Sequence, residues 1–213
     1  MSLYSRLVKH PGWIEVIVGC MYSGKTEELI RQIRRAEIAK QAHQLFKPRI
    51  DNRYSESSVA SHNQNLQSAI IIDHAYEILD RVNADTEVVG IDEGQFFTND
   101  LVEVAGQLAN SGRRVLIAGL DTDWKGRPFG PIPQLMAVAE EVRKQHAICM
   151  VCGSPATRTQ RLPGVGGQDI LVGSDGMYEA RCRSHFKPLP SEDSLLTQPP
   201  NHGKTEKPHF MDL

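Results

Sequence analysis

An α/β fold, a mostly parallel sheet flanked by helices, is predicted for this 213-residue chain by three observations. Short apolar, β-branched runs alternate with amphipathic helical patterns along the first two thirds of the chain. The first run, Trp13–Val18, is followed at once by a glycine-bounded turn and an amphipathic helix. The alternation stops near Cys149, where a stretch rich in glycine and cysteine takes over.

The elements follow in order. Trp13–Val18 (WIEVIV) reads as a buried strand that ends at Gly19. Residues 26–40 place Leu29, Ile30, Ile33 and Ala36 on one stripe, with Glu27, Arg31, Arg34 and Arg35 on the other. That is an amphipathic helix. Further strands are expected at 44–46, 69–72, 87–91, 114–118 and 147–150, and further helices at 75–82, 101–109 and 134–144. Strands joined through helices pair in parallel and take helices on both faces. No internal repeat is present.

Four regions result. Residues 1–11 form an N-terminal extension, 12–146 an α/β domain, 147–187 a small cysteine-bearing domain, and 188–213 a tail expected to be disordered. Five of the twelve prolines lie beyond residue 186, and so dense a set suits an unfolded tail.

Composition removes several function classes. Lys plus Arg number 24 and Asp plus Glu 26, a formal charge of −2, so neither a nucleic-acid coat nor a polybasic membrane binder is expected. No apolar run approaches the ~18 residues of a membrane span. Residues 1–10 lack the apolar centre of a secretion signal, so a cytoplasmic location is expected. In that reducing compartment, cysteines at 20, 149, 152 and 182 favour metal over disulfides.

Gly19-Cys20-Met21-Tyr22-Ser23-Gly24-Lys25-Thr26 is G-x-x-x-x-G-K-T between a strand and a helix, the setting that the phosphate-binding loop requires. Its glycines let successive N–H groups curl around a phosphate, the helix N-terminus adds partial positive charge, and Lys25 adds a full one. Thr26 is placed to ligate Mg²⁺. The run 88–91 ends in Asp92 and Glu93. Adjacent strand residues face opposite ways, so the two carboxylates are expected to do different jobs, one supporting the metal and one addressing a nucleophile.

Cys149-x-x-Cys152 and Cys182-x-x-His185 bracket a 29-residue insert. Two knuckles of two ligands each suit a tetrahedral Cys₃His zinc site with no open position, hence a structural one. Metal binding would supply the folding energy that a glycine-rich stretch lacks. His146, three residues before Cys149, competes with His185 for the fourth place.

Together these residues resemble the type II thymidine kinases, the family of the animal cytosolic enzyme and most bacterial ones. The resemblance runs from about Gly12 to Lys187. It is carried by the phosphate loop, Asp51-Asn52-Arg53-Tyr54, Ile91-Asp92-Glu93-Gly94-Gln95-Phe96-Phe97, Gly119-Leu120-Asp121 through Trp124, Arg127-Pro128-Phe129-Gly130 and the two knuckles. It implies a P-loop, RecA-like fold with a small zinc-stabilised lasso domain. It also implies transfer of the ATP γ-phosphoryl group to the 5′-hydroxyl of thymidine, with deoxyuridine as a further acceptor.

By that resemblance Glu93 is the general base, while Asp51, Arg53, Asp92 and Gln95 join the loop at ATP, with Thr26 and Asp92 at Mg²⁺. Met21, Leu120, Trp124 and Phe129 look like walls of the nucleoside pocket, and Tyr178 like the ring that stacks on the base. Asp169, Ile170, Leu171, Val172 and Gly173 resemble the lasso segment whose backbone reads the base edge. Trp124 stands where the family usually has Phe, and His185 stands where the animal enzymes have a fourth Cys. A homotetramer and feedback by thymidine triphosphate (dTTP) are also implied.

Two other readings compete. A nucleoside monophosphate kinase with a zinc-held lid needs no base, because its acceptor is already a phosphate, and would line its acceptor site with arginines. An ATP-driven nucleic-acid module would need a basic excess that this chain lacks.

Overall fold

β1 (Trp13–Val18) is apolar along almost its whole length because both of its faces are covered. In the computed structural model, which describes residues 12–49, 69–162 and 176–187, it lies in a six-stranded sheet. The other strands are β2 (His43–Pro48), β3 (Ile70–Ile72), β4 (Val88–Ile91), β5 (Arg114–Gly119) and β6 (Glu141–Lys144). Their spatial order is β3-β2-β4-β5-β1-β6, and every pairing is parallel. β5 thus sits between β1, which leads into the phosphate loop, and β4, which leads to Asp92.

Side-chain alternation along β1 sorts the two cores. Ile14, Val16 and Val18 face one cluster, where α2 (Glu77–Arg81), α3 (Asp100–Asn110) and α4 (Ile132–Val138) bring Ile78, Leu101, Leu108 and Leu135. Ile17 faces the other, where α1 (Lys25–Ile38) brings Leu29, Ile33 and Ala36 against Val88, Leu116 and Ala118. Gly90 lets α1 approach closely, since a Cβ there would lie 2.9 Å from Leu45 and 3.1 Å from Ile33. Each fully buried Leu or Ile contributes roughly 1.5–3 kcal/mol of transfer free energy.

The α/β fold of the P-loop class is thus as expected, with two local corrections. Residues 134–144 do not form one helix: α4 ends at Val138, and 141–144 become the edge strand β6. β6 pairs with β1, and Glu140 accepts the Ile14 N–H at 2.7 Å. An edge strand faces solvent on much of its surface, so its charged Glu-Val-Arg-Lys sequence carries no strand-like alternation. Residues 147–150 do not extend the main sheet either. β7 (Ala147–Ile148) pairs antiparallel with β8 (Pro155–Ala156), and β9 (Arg158–Arg161) with β10 (Tyr178–Arg181). Met150 N–H donates to Ala180 O at 3.0 Å and ties the two small sheets together. The N-terminal extension, the proline-rich tail, Asp51, Arg53 and the segment 169–173 lie outside the described residues.

Candidate functional site

The site lies beyond the carboxyl ends of β1, β4 and β5, where parallel sheets present their loops. β1 hands over to the loop 19–26, in which Gly19 (φ 152) and Gly24 (φ 81) adopt backbone angles that side chains resist. A Cβ at Gly19 would lie 2.5 Å from Gln145 O and 2.6 Å from Ser23 Oγ, so no side chain fits there. Gly24 precedes α1 without a side-chain cap, which leaves first-turn N–H groups for an anion. Ser23 Oγ is buried and has no partner among the described residues. Lys25 folds back, its ammonium donating to Cys20 O at 2.9 Å. Burial pushes the Lys25 ammonium down, and nearby charges, first that of Glu93, pull it back up.

β4 stops at Ile91, so Asp92 and Glu93 lie past the strand and the left-handed backbone of Glu93, not strand alternation, sets their directions. Thr26 Oγ1 donates toward the Asp92 carboxylate, at 3.3 Å from Oδ1 and 3.2 Å from Oδ2. Asp92 also accepts the Glu93 N–H at 2.9 Å. Its carboxyl is raised to about 6 by burial and by the charge of Glu93, against the pull of Thr26 and Lys25. A carboxylate crowded in this way is relieved by a cation, so Thr26 and Asp92 fit Mg²⁺.

Glu93 has left-handed backbone angles (φ 54, ψ 36), a conformation that costs a non-glycine residue about 1–2 kcal/mol. Its side chain accepts a 2.6 Å hydrogen bond from Gln95 Nε2. Gln95 is buried, and its Oε1 accepts the Leu120 N–H at 2.9 Å. Gly130 (φ 52) closes behind it, with no room for a Cβ, which would lie 2.3 Å from Gln95 O. Gln95, expected beside ATP, therefore spends its described hydrogen bonds on Glu93 and Leu120.

Phe129 meets Phe96 edge to face at 5.7 Å, and its N–H donates to Asp121 O at 3.2 Å. Trp124 is flanked by two cations, Lys125 Nζ and the Arg161 guanidinium, each 4.9 Å from the ring centre. Tyr178 is buried on β10, and its backbone O accepts the Tyr22 hydroxyl at 3.2 Å. Met21 N–H donates to Thr159 Oγ1 at 3.0 Å.

Sequence reasoning missed Thr159, which sits on a short, polar strand with no motif. It also missed Asp121–Lys144, an ion pair of 2.6 Å in which Asp121 is buried. The acid was visible inside a motif, but its partner lay on the edge strand misread as helix.

Cys149, Cys152, Cys182 and His185 bring their ligand atoms within 4.8 Å of one another. His185 Nδ1 faces this group, 3.8 Å from Cys149 Sγ and 3.2 Å from Cys182 Sγ, and Cys152 Sγ lies 3.8 Å from Cys182 Sγ. Of the two candidate histidines, His185 is the one in the cluster. Burial raises the Cys149 thiol, but backbone N–H groups of Cys182, Val151 and Cys152 outweigh it and bring the thiol to about 6. Three soft sulfurs and one imidazole nitrogen, with one thiol already disposed to ionise, fit zinc.

Comparison with known proteins agrees with this geometry. The family model described as "Thymidine kinase" matches residues 12–186. A protein named thymidine kinase from Bdellovibrio bacteriovorus is 60% identical over 177 residues, covering 83% of this chain and 86% of its own. Another of that name, from a Rhodothermus species, is 52% identical over 201 residues, covering 93% of each chain.

Proposed function

Because the chain belongs to the thymidine kinase family, and so is an enzyme of that class, we propose that it transfers the γ-phosphoryl group of ATP to the 5′-hydroxyl of thymidine. Deoxyuridine is included as a second acceptor. The observation that carries this reading is the Thr26–Asp92 contact, which closes the phosphate loop onto the end of β4 beside Glu93.

In this proposal the loop N–H groups, Ser23 and Lys25 hold the triphosphate, with Asp51 and Arg53 adding contacts. Lys25 exchanges the Cys20 carbonyl for phosphate oxygens. Thr26 and Asp92 hold Mg²⁺, which neutralises phosphate charge when bound. Glu93 takes the proton of the 5′-hydroxyl as that oxygen attacks in line, and Gln95 holds the Glu93 carboxylate in place. A base is needed because a hydroxyl, unlike a phosphate acceptor, must lose a proton, and this distinction favours a nucleoside acceptor.

Met21, Leu120, Trp124, Phe129 and Tyr178 enclose the nucleoside, and backbone groups of 169–173 read its base. The Cys₃His group holds a structural zinc. A homotetramer and inhibition by dTTP complete the proposal on the strength of the family.

Substituting the base tests the chemistry. Glu93→Gln should cut turnover by about 10²–10⁴-fold while ATP binding stays near that of the native protein. Unchanged turnover would remove Glu93 from its role.

A further inference from the structure

Three consecutive residues of the phosphate loop rest on the Cys/His lobe formed by β7–β10 and the two knuckles. Cys20 is fully buried in one cluster with Ala147, Cys149, Ala156 and Ala180, and Cys182 packs at its margin. Its thiol donates to Ala156 O at 3.4 Å. Met21 N–H donates to Thr159 Oγ1 on β9, and the Tyr22 hydroxyl to Tyr178 O on β10. The neighbouring Gly19 abuts the backbone of Gln145, on the chain that leads into the lobe. Two members of the Cys20 cluster, Cys149 and Cys182, belong to the candidate zinc group.

We infer that the Cys/His lobe is the anchor of the phosphate loop, so that zinc in the lobe and nucleotide in the loop bind cooperatively, with Cys20, Thr159 and Tyr22 as the positioning residues that couple them. This rests on reading the loop as the ATP site and the Cys₃His group as the zinc site.

The physical case has three steps. Tyr22 is held in a left-handed conformation (φ 65), which an isolated loop resists and an external hydrogen bond can hold. The apolar cluster of the two small sheets is built of alanine and cysteine, too little apolar surface to hold them alone, so their order depends on the bound metal. A loop already held in its anion-binding shape binds without first losing conformational freedom. Since coupling between sites is reciprocal, nucleotide must tighten zinc by the factor by which zinc tightens nucleotide.

The test uses the full chain and two binding measurements. Zinc affinity is measured against a chromogenic chelator with and without saturating Mg-ATP, with protein-free Mg-ATP as the blank. Mg-ATP affinity is measured by calorimetry at full and at partial zinc loading. Mg-ATP is expected to tighten zinc at least about five-fold, the low end of ordinary coupling between sites. Zinc loss should weaken Mg-ATP by the same factor.

Tyr22→Phe, a half-exposed position, and Thr159→Val should bring the factor toward one while both variants still bind zinc in the absence of nucleotide. A lobe that only supports the fold would change zinc affinity equally with and without nucleotide. Zinc affinity indifferent to Mg-ATP in the native protein therefore overturns the inference and leaves both sites standing. Zinc-loaded protein that binds no Mg-ATP, or protein that takes up no zinc, overturns the underlying reading and the inference together.

Discussion

Gln95 donates its side-chain amide to the Glu93 carboxylate at 2.6 Å while its own oxygen accepts the Leu120 N–H at 2.9 Å. One buried side chain thus ties the end of β4, where the proposed base sits, to the end of β5, where the expected nucleoside pocket begins. Gln95→Met keeps the volume and loses both bonds. It should lower kcat about ten- to a hundred-fold with little change in the KM for ATP. Leaving the Leu120 N–H unpaired should cost about 1–3 kcal/mol in urea unfolding. A variant with native kcat would show that Glu93 needs no such support.

Glu93 occupies backbone space that suits glycine (φ 54). Glu93→Gly should therefore lose turnover while the fold gains up to about 1 kcal/mol, because the strain is relieved but the freer unfolded chain offsets part of the gain. Thermal unfolding checks it. Loss of stability would mean that the carboxylate's bond to Gln95 outweighs the backbone strain.

Asp92, raised to about 6, gives a pH dependence of definite sign. Its folded value lies above the ordinary value of about 3.9, so the native state binds more protons between about pH 4 and pH 6. Stability without Mg²⁺ should fall as pH rises through that window. In the proposed site Mg²⁺ would compete with the same proton, so Mg-ATP affinity should rise toward pH 6 and level off above it, being about ten-fold weaker at pH 5. Asp92→Asn should flatten that part of both curves. Parallel curves for the native protein and Asp92→Asn would remove Asp92 as the origin.

Glu15 is the one charged side chain of β1, and it points to the α1 face. It is buried between Arg114 at 2.6 Å and Arg143 at 3.1 Å and accepts the Trp13 indole N–H at 2.7 Å. Burial raises its carboxyl, but the bonds from Arg114 and Trp13 prevail and hold it below the usual carboxylate range. Glu15→Ala would strand the guanidinium of Arg114 beneath α1 and should cost about 3–5 kcal/mol. Denaturant titration at neutral pH checks it, and a loss under 1 kcal/mol would show that Gln32 and water satisfy Arg114.

How much was legible in the sequence follows from how local each signal is. The phosphate loop, α1 and the carboxylate pair are contiguous, and their chemistry needs neighbours in order along the chain, so they could be read directly. The zinc group was legible as two short spacings, although His146 and His185 were separated only by the way β10 brings Cys182 and His185 to Cys149 and Cys152. β6 was misread because its register with β1, not its own periodicity, makes it a strand. The Gln95–Leu120, Met21–Thr159 and Tyr22–Tyr178 bonds join residues 25 to 156 positions apart, and no spacing rule reaches them.

The most direct test of the proposed activity is phosphate transfer from Mg-ATP to thymidine, with thymidine monophosphate and deoxycytidine as parallel acceptors. Turnover on thymidine and neither of the others is the predicted result, because in the proposed site Glu93 serves a hydroxyl and the nucleoside pocket selects the base. Turnover on the monophosphate alone would contradict the account, since a phosphate acceptor has no proton for Glu93 to take.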